Sequence, residues 1–285
     1  MNLRLERRIR RDGDEKIDQT PFTIAMMQAQ KWCSFQVNVS EEPAQRPRRA
    51  INFGTTGNVP SGLAIIDDFC KHANVGNSCL PLHLDHKDQF FGDRGSQAPA
   101  SADATTWATV TLKELLGTSM RSETKVKQCI QLALTLVSSF LQLQSTPWLP
   151  NCWCAEDVIL LRSNKQLDIE RPFIRQVYPP GNSAVVPCPS DSDRILALGI
   201  VLLQIVELTP IDDWRTATNA ATAEDLSIMM RHLHEDAQIW PPCFAESIRA
   251  CWNFLGRSDL DLNEPTLRKE MIENMLYPFQ RDLKW

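Results

Sequence analysis

ILALGIVLLQIVEL, residues 195–208, decides how this chain is read. Only Gln204 and Glu207 interrupt an otherwise apolar run. Apolar on every side, the segment predicts a helix enclosed by its neighbours rather than one lying on a surface. It opens at residues 190–193 and ends before Pro210. Its longest apolar stretch, 195–203, falls far short of the roughly 20 residues that span a bilayer.

A second enclosed helix lies upstream. Ser122 caps it, Glu123 stands in its first turn, and the predicted helix runs to Leu143 before Pro147 stops it. Val126, Ile130, Ala133, Leu134, Val137, Phe140 and Leu141 fill one side, while Leu132, Leu136 and Leu143 make much of the rest apolar. Between the two helices, residues 158–161 and 166–169 read as short strands around a hairpin loop, Arg162-Ser163-Asn164-Lys165. Three amphipathic stripes follow the second helix. They are Leu226, Met229, Met230 and Leu233; then Phe244, Ile248, Cys251, Trp252 and Leu255, with Gly256 at the C′ position; then Leu267, Met271, Ile272 and Met275. Helix, hairpin, loop and further helices make an α+β fold, mostly α.

The first part of the chain is less regular. Residues 1–21 read as a basic tail or truncated helix, with Leu5 and Ile9 spaced i, i+4 as at the end of a helix cut from a longer protein. Residues 22–31 have helical character, and 33–39 alternate apolar and polar as a strand does. Residues 40–62 and 92–106 are linkers rich in turn-forming residues. Between them, 63–91 admits either a short helix or a pair of strands. The domain organisation expected is a tail over 1–21, a small region with linkers over 22–106, and a helical domain over 107–285.

Eleven glycines stand beside eighteen prolines; at average usage a chain this long would carry about 20 glycines. That shortage counts against glycine-rich phosphate cradles, and 43% hydrophobic residues exclude disorder of the whole chain. The net charge of −5 is uneven, with ten Lys/Arg against seven Asp/Glu in residues 1–50 and nine against sixteen in 186–285. Arg4, Arg7, Arg8, Arg10 and Arg11 are diluted by Glu6, Asp12, Asp14 and Glu15, and no aromatic residues interleave to stack on bases. A solvated terminal segment is expected, with no nucleic-acid partner. No apolar core of a secretory signal occurs in the first twenty residues, and nine cysteines without one favour reduced thiols. A soluble, intracellular and cytoplasmic protein without a membrane span follows as the expectation.

The order of elements from 107 onward resembles the C-terminal lobe of a protein kinase. LALTLVSSFLQLQSTPWL (132–149) resembles the helix before a kinase catalytic loop, Glu156-Asp157-Val158-Ile159-Leu160-Leu161 the strand after it, and ILALGIVLLQIVEL, with Gly199 in place, the buried helix that anchors that lobe. Ile248-Arg249-Ala250-Cys251-Trp252 resembles a late kinase helix. The text of 132–149 and 197–205 is more closely similar to a fungal family of kinase-like domains of unknown function, whose members often follow HeLo or prion-inhibition-type helical segments. Trp32-Cys33, Val37-Asn38-Val39 and Thr111-Leu112-Lys113-Glu114-Leu115-Leu116 extend that similarity over residues 31–283. The resemblance implies a kinase-like fold with a degenerate N-lobe.

Phosphoryl transfer needs a phosphate cradle, a strand lysine, a catalytic Asp with a downstream Asn, and a metal-binding Asp before Phe-Gly. No G-x-G-x-x-G occurs; the nearest glycine pairs are Gly54/Gly57 and Gly92/Gly95, both in linkers. No V-A-x-K precedes Trp107, and Lys71 stands in a different context. Where the resemblance puts the catalytic loop, the chain reads Pro150-Asn151-Cys152-Trp153-Cys154-Ala155-Glu156-Asp157, so Trp153 falls near the catalytic base, and an indole cannot accept a proton. Asp157 is the nearby carboxylate open to recruitment, and it lies at the wrong end of the loop. No Asp-Phe-Gly exists, since Asp168 precedes Ile169 and Glu170. No catalytic or cofactor-binding residue is assigned.

Other groupings carry less. Cys70, His72, Cys79, His83 and His86 have zinc-ligand chemistry but no closed C-x2-C spacing; surface histidines and buried cysteines are the preferred reading, with no metal assigned. Cys152-x-Cys154 lacks the two-residue spacing of redox motifs. His232 and His234 read as a charged helix end, and Asp212-Asp213 as a turn or helix start after Pro210. No nucleophile elbow G-x-S-x-G occurs. The expected function is a non-catalytic, pseudokinase-like module that binds protein partners, with Trp148, Trp153 or Trp214 either anchoring partners or lying in the core. The family's common neighbours suggest fungal self/non-self recognition or cell-death signalling. The alternative is an atypical kinase or nucleotide-binding enzyme with relocated residues.

Overall fold

The structure, a computed structural model, describes residues 2–4, 22–28, 31–39, 63–65, 80–84, 90–93, 108–118, 126–144, 149, 153–163, 166–175, 190–215, 221–258 and 260–283. The chain divides into two units, Met1–Arg4 with Arg10–Thr106, and Leu5–Ile9 with Trp107–Trp285.

The described residues of the first unit form six strands: β1 (Asn2–Arg4), β2 (Phe22–Gln28), β3 (Lys31–Val39), β4 (Leu63–Ile65), β5 (Leu80–Leu84) and β6 (Phe90–Asp93). Their order across the sheet is β4-β6-β5-β3-β2-β1. Neighbours are antiparallel except β3 and β5, which run parallel from Phe35↔Leu80 to Val39↔Leu84. The strand expected over 33–39 is present as β3. The helical reading of 22–31 is corrected, because Phe22–Gln28 forms β2, paired with β3 through Ile24↔Phe35 and Met26↔Cys33. FTIAMMQ is apolar at nearly every position, so it satisfies either period, and cross-strand pairing decides between them. Residues 2–4 are corrected too. They are neither tail nor helix end but a strand on β2, with Leu3 opposite Ile24. Within block 63–91 the described residues, 63–65, 80–84 and 90–91, are strands.

The second unit is mostly helical, with one three-stranded antiparallel sheet. Its strands are β7 (Ala108–Thr111), β8 (Val158–Ser163) and β9 (Gln166–Arg175). The hairpin expected around residues 162–165 is present, closing at Ser163↔Gln166. Its register shifts between Ile159 and Leu161, where Ile159 faces Phe173 but Leu161 faces Asp168. Pro172 lies in the extra stretch of β9, where a residue without an N–H is tolerated.

Helix α1 (Leu112–Thr118) starts directly from β7. The Thr111 hydroxyl accepts from the Glu114 N–H at 3.2 Å, and the Glu114 carboxylate accepts from the Thr111 N–H at 2.8 Å. That reciprocal capping box satisfies two backbone donors at once. Helix α2 (Val126–Leu143) is long and apolar enough to cross a membrane by length and composition, yet 72% of it is buried inside the protein, which marks a core helix. Its expected cap, Ser122, lies outside the described residues.

Helix α3 (Asp191–Glu207) is capped by Ser190, whose hydroxyl and backbone N–H both engage Asp193 in a second capping box. Its middle is buried on all sides, as its sequence predicts. A β-carbon on Gly199 would stand 2.8 Å from Met229 Sδ and 3.2 Å from Cys251 Cβ, so this glycine permits two neighbouring helices to approach. At the other end Leu208 adopts left-handed φ 53°, ψ 36°. Buried Gln204 holds the exit: its Oε1 accepts from the Ile211 N–H at 2.8 Å, and its carbonyl accepts from the Thr209 N–H at 3.2 Å.

A 3-10 turn (Ile211–Asp213) leads to α4 (Ala221–Glu235), α5 (Pro242–Leu255), α6 (Pro265–Met271), a π segment (Ile272–Leu276) and α7 (Tyr277–Leu283). The buried face of α4 is Ile228 and Met229, whereas Leu226 and Met230 are exposed; the stripe drawn from spacing is displaced by one residue. Gly256 is likewise corrected. It sits at the C-cap of α5 with φ −78°, so its left-handed freedom is unused. The π segment has a cause, because Pro278 has no N–H to donate to the carbonyl four residues back, and a widened turn absorbs the break. The Ser247 hydroxyl donates to the Met275 carbonyl within it at 2.9 Å. Phe244 and Phe279 meet edge to face, with centroids 5.0 Å apart.

One polar node ties distant stretches together. Gln144, just past α2, accepts from Arg194 Nη1 at its carbonyl and donates from Nε2 to the Leu262 carbonyl, each at 2.6 Å. The Leu262 N–H donates to Asp191 Oδ2 at 3.0 Å.

Candidate functional site

The turn between α2 and β8 is the stretch where sequence placed any surviving chemistry. Trp153 is 3% exposed and lies on Phe140 of α2, with ring centroids 6.2 Å apart and planes 30° apart. It is a core residue. Its indole nitrogen is buried, with no hydrogen-bond partner among the described residues.

Asp157 closes a turn on Cys154. Its N–H donates to the Cys154 carbonyl at 3.0 Å, while Oδ2 accepts from the Cys154 N–H at 3.0 Å and from the Cys154 thiol at 3.6 Å. Its carbonyl accepts from the Arg175 N–H at 2.8 Å, and Arg175 Nη2 reaches the Glu156 carbonyl at 3.0 Å and Asp157 Oδ1 at 3.9 Å. Burial raises the Asp157 carboxyl above its ordinary range, against the opposing bonds from Cys154 and the charge of Arg175. Such a carboxylate is a turn cap rather than a free base. The Cys154 thiol, desolvated and facing that carboxylate, is also pushed up, the opposite of an activated nucleophile.

A surface ion cluster borders the turn. Lys113 of α1 bridges Glu156 and, at 2.7 Å, Asp212 of the 3-10 turn, and its own N–H donates to the Ala155 carbonyl at 3.2 Å. Hydrogen bonding to Asp212 and then Glu156 raises the Lys113 ammonium above its ordinary value. Glu114 is lowered, chiefly by the N–H and hydroxyl of Thr111.

Other residues singled out from sequence are dispersed. Asp168 sits on β9, 4.0 Å from Arg171. Asp212 and Asp213 form the 3-10 turn after Pro210, as expected. Trp214 is half-buried, its ring 4.7 Å from that of His232. His232 Nδ1 lies 2.7 Å from Asp236 Oδ2, and His234 is exposed. Lys71, Cys70, His72, Cys79, His86, Trp148 and Cys152 lie outside the described residues, and His83 is described only as backbone of β5. Sequence reasoning missed the Lys113 cluster, whose members stand 43 and more positions apart. Thr111-x-x-Glu114 was the readable signal beside it.

In its described residues the second unit is α+β, mostly α, and its sequence-marked turn is held by hydrogen bonds between Cys154, Asp157 and Arg175. Residues 14–285 match DUF7580, a domain of unknown function, and the chain belongs to that family. A search of curated proteins gives no match.

Proposed function

We propose that this chain is a pseudokinase-like module of fungal type, which acts by binding protein partners and not by transferring phosphate. The residues likened above to a kinase C-lobe frame the reading: α2, the turn, the β8–β9 hairpin and buried α3 occur in that order. One observation carries it. Trp153, which the resemblance puts near the catalytic base, is buried against Phe140, and Asp157 is engaged by its own turn. General-base catalysis needs an acceptor within reach of the substrate proton, and neither group offers one. Recognition of self and non-self, or cell-death signalling, is the setting this reading favours.

A thermal-shift series with ATP and Mg²⁺ tests it. A nucleotide bound at 100 times its Kd raises stability by about 2.7 kcal/mol; the proposal expects no shift at millimolar nucleotide. Autophosphorylation of the pure protein, lost in Asp157→Asn, would overturn it in favour of a kinase with relocated residues.

A further inference from the structure

We propose that Glu207, His232 and Asp236 form a Zn²⁺ site at the corner between α3 and α4. The three come from the last residue of α3, the last turn of α4 and the residue just beyond it. One carboxylate oxygen from each acid and one ring nitrogen of His232 lie within 4.8 Å of one another. The ligands of a tetrahedral zinc stand about 3.4 Å apart at ordinary Zn–N and Zn–O lengths, so side-chain rotations of roughly 1–1.5 Å gather all three.

Three independent features mark the corner as a cation site. First, His232 Nδ1 is bonded to Asp236, while its Nε2 is buried without a hydrogen-bond partner among the described residues. An orphaned buried nitrogen is costly unless something takes its lone pair. Second, the local charge is unbalanced. Two carboxylates stand here, Glu207 at the negative end of the α3 dipole, and no ion pair with Lys or Arg reaches either among the described residues. Third, outer groups hold the donors in place. The Trp240 indole N–H donates to Glu207 Oε1, and the Trp214 ring lies against the imidazole. Outer partners of this kind orient metal ligands.

One nitrogen and two oxygens suit zinc and other late first-row divalent ions, with water in the fourth position. The ion ties the exit of α3 to the end of α4. This site is separate from the Trp153 turn and does not depend on the function proposed above.

The test uses the full, tag-free chain, stripped with EDTA. Zn²⁺ is titrated by calorimetry, and Co²⁺ by its visible d–d absorption. Glu207→Gln keeps an acceptor for Trp240 and should lose one equivalent of Zn²⁺ or bind it at least tenfold more weakly. Asp236→Asn, a second near-isosteric variant, should do the same, with circular dichroism confirming both folds. Counting equivalents against the wild type separates this site from any zinc held by the cysteines and histidines of residues 70–86. Wild-type stoichiometry and affinity in either folded variant, or no Zn²⁺ bound by the wild type, overturns the proposal.

Discussion

The Trp153–Asp157 turn and the α3–α4 corner are built from similar parts and end in opposite states. Each combines a carboxylate with a tryptophan, Asp157 with Trp153 four residues before it and Glu207 with the indole of Trp240. In the turn, Asp157 receives the Cys154 N–H and thiol and faces Arg175, so its charge is answered within the chain. At the corner, Glu207 and Asp236 have one histidine between them, and that histidine leaves a nitrogen buried and unbonded among the described residues. Both regions hold a buried ring nitrogen without a partner among the described residues, Trp153 Nε1 and His232 Nε2, so the difference lies in the acids: Asp157 faces Arg175, whereas no Lys or Arg pairs with Glu207 or Asp236 among the described residues. Proximity of acids to an aromatic ring distinguishes neither.

The comparison breaks most sharply at Trp153. If the turn is scaffold, Trp153→Ala should cost about 3–5 kcal/mol in urea unfolding, the usual loss for a large buried aromatic. A loss below about 1 kcal/mol would return Trp153 to the surface and reopen the turn as a binding site. At the corner, Trp240→Phe removes the donor to Glu207 without its ring. It should cost about 1.5–3 kcal/mol and weaken Zn²⁺ binding about tenfold; unchanged affinity would uncouple the indole from the site.

Asp157 sharpens the contrast through pH. A carboxyl raised in the folded state favours the protonated form, so its contribution falls as pH rises through the raised folded value. Asp157→Asn keeps an acceptor and removes that slope. Its midpoint in urea should therefore gain on the wild type between acid and neutral pH, whereas Asp157→Ala loses the cap and costs about 1–2 kcal/mol. Parallel pH profiles for wild type and Asp157→Asn would show the carboxylate to be unburied. Glu114 works the other way. Lowered by Thr111, it adds stability above the ordinary carboxylate range and loses it as pH falls through its folded value. The smallest effect belongs to the exposed cluster: Lys113→Met should cost only about 0.2–1 kcal/mol and lose even that in high salt.

What could be read in the sequence follows from how local each signal is. The enclosure of α2 and α3, the hairpin and the turn after Pro210 rest on contiguous residues, and all are present. The β2 segment failed because its apolar residues suit two periods, and pairing with β3 chooses between them. On α4 spacing placed Met229 correctly, but it chose Leu226 and Met230 over Ile228, because the side on which Met229 meets Gly199, 30 positions away, cannot be read from one helix. The turn was legible as one short stretch because Trp153 and Asp157 stand four residues apart. The corner was half legible: His232 and Asp236 stand at i, i+4, but Glu207 joins them only through the crossing of α3 and α4.

Gln144 has a consequence in time rather than in energy. It bonds to Arg194, 50 positions on, and to Leu262, 118 positions on, and the second of these spans the longest loop among the polar contacts of the described residues. Loop closure precedes any reward from such contacts, and the longer loops are the more costly to close. The node is expected to form after the folding barrier is crossed, which a φ-value near zero for Gln144→Ala would bear out. Loosening it would leave the folding rate nearly unchanged and speed unfolding, which makes Gln144 a control on how long the native state lasts once reached.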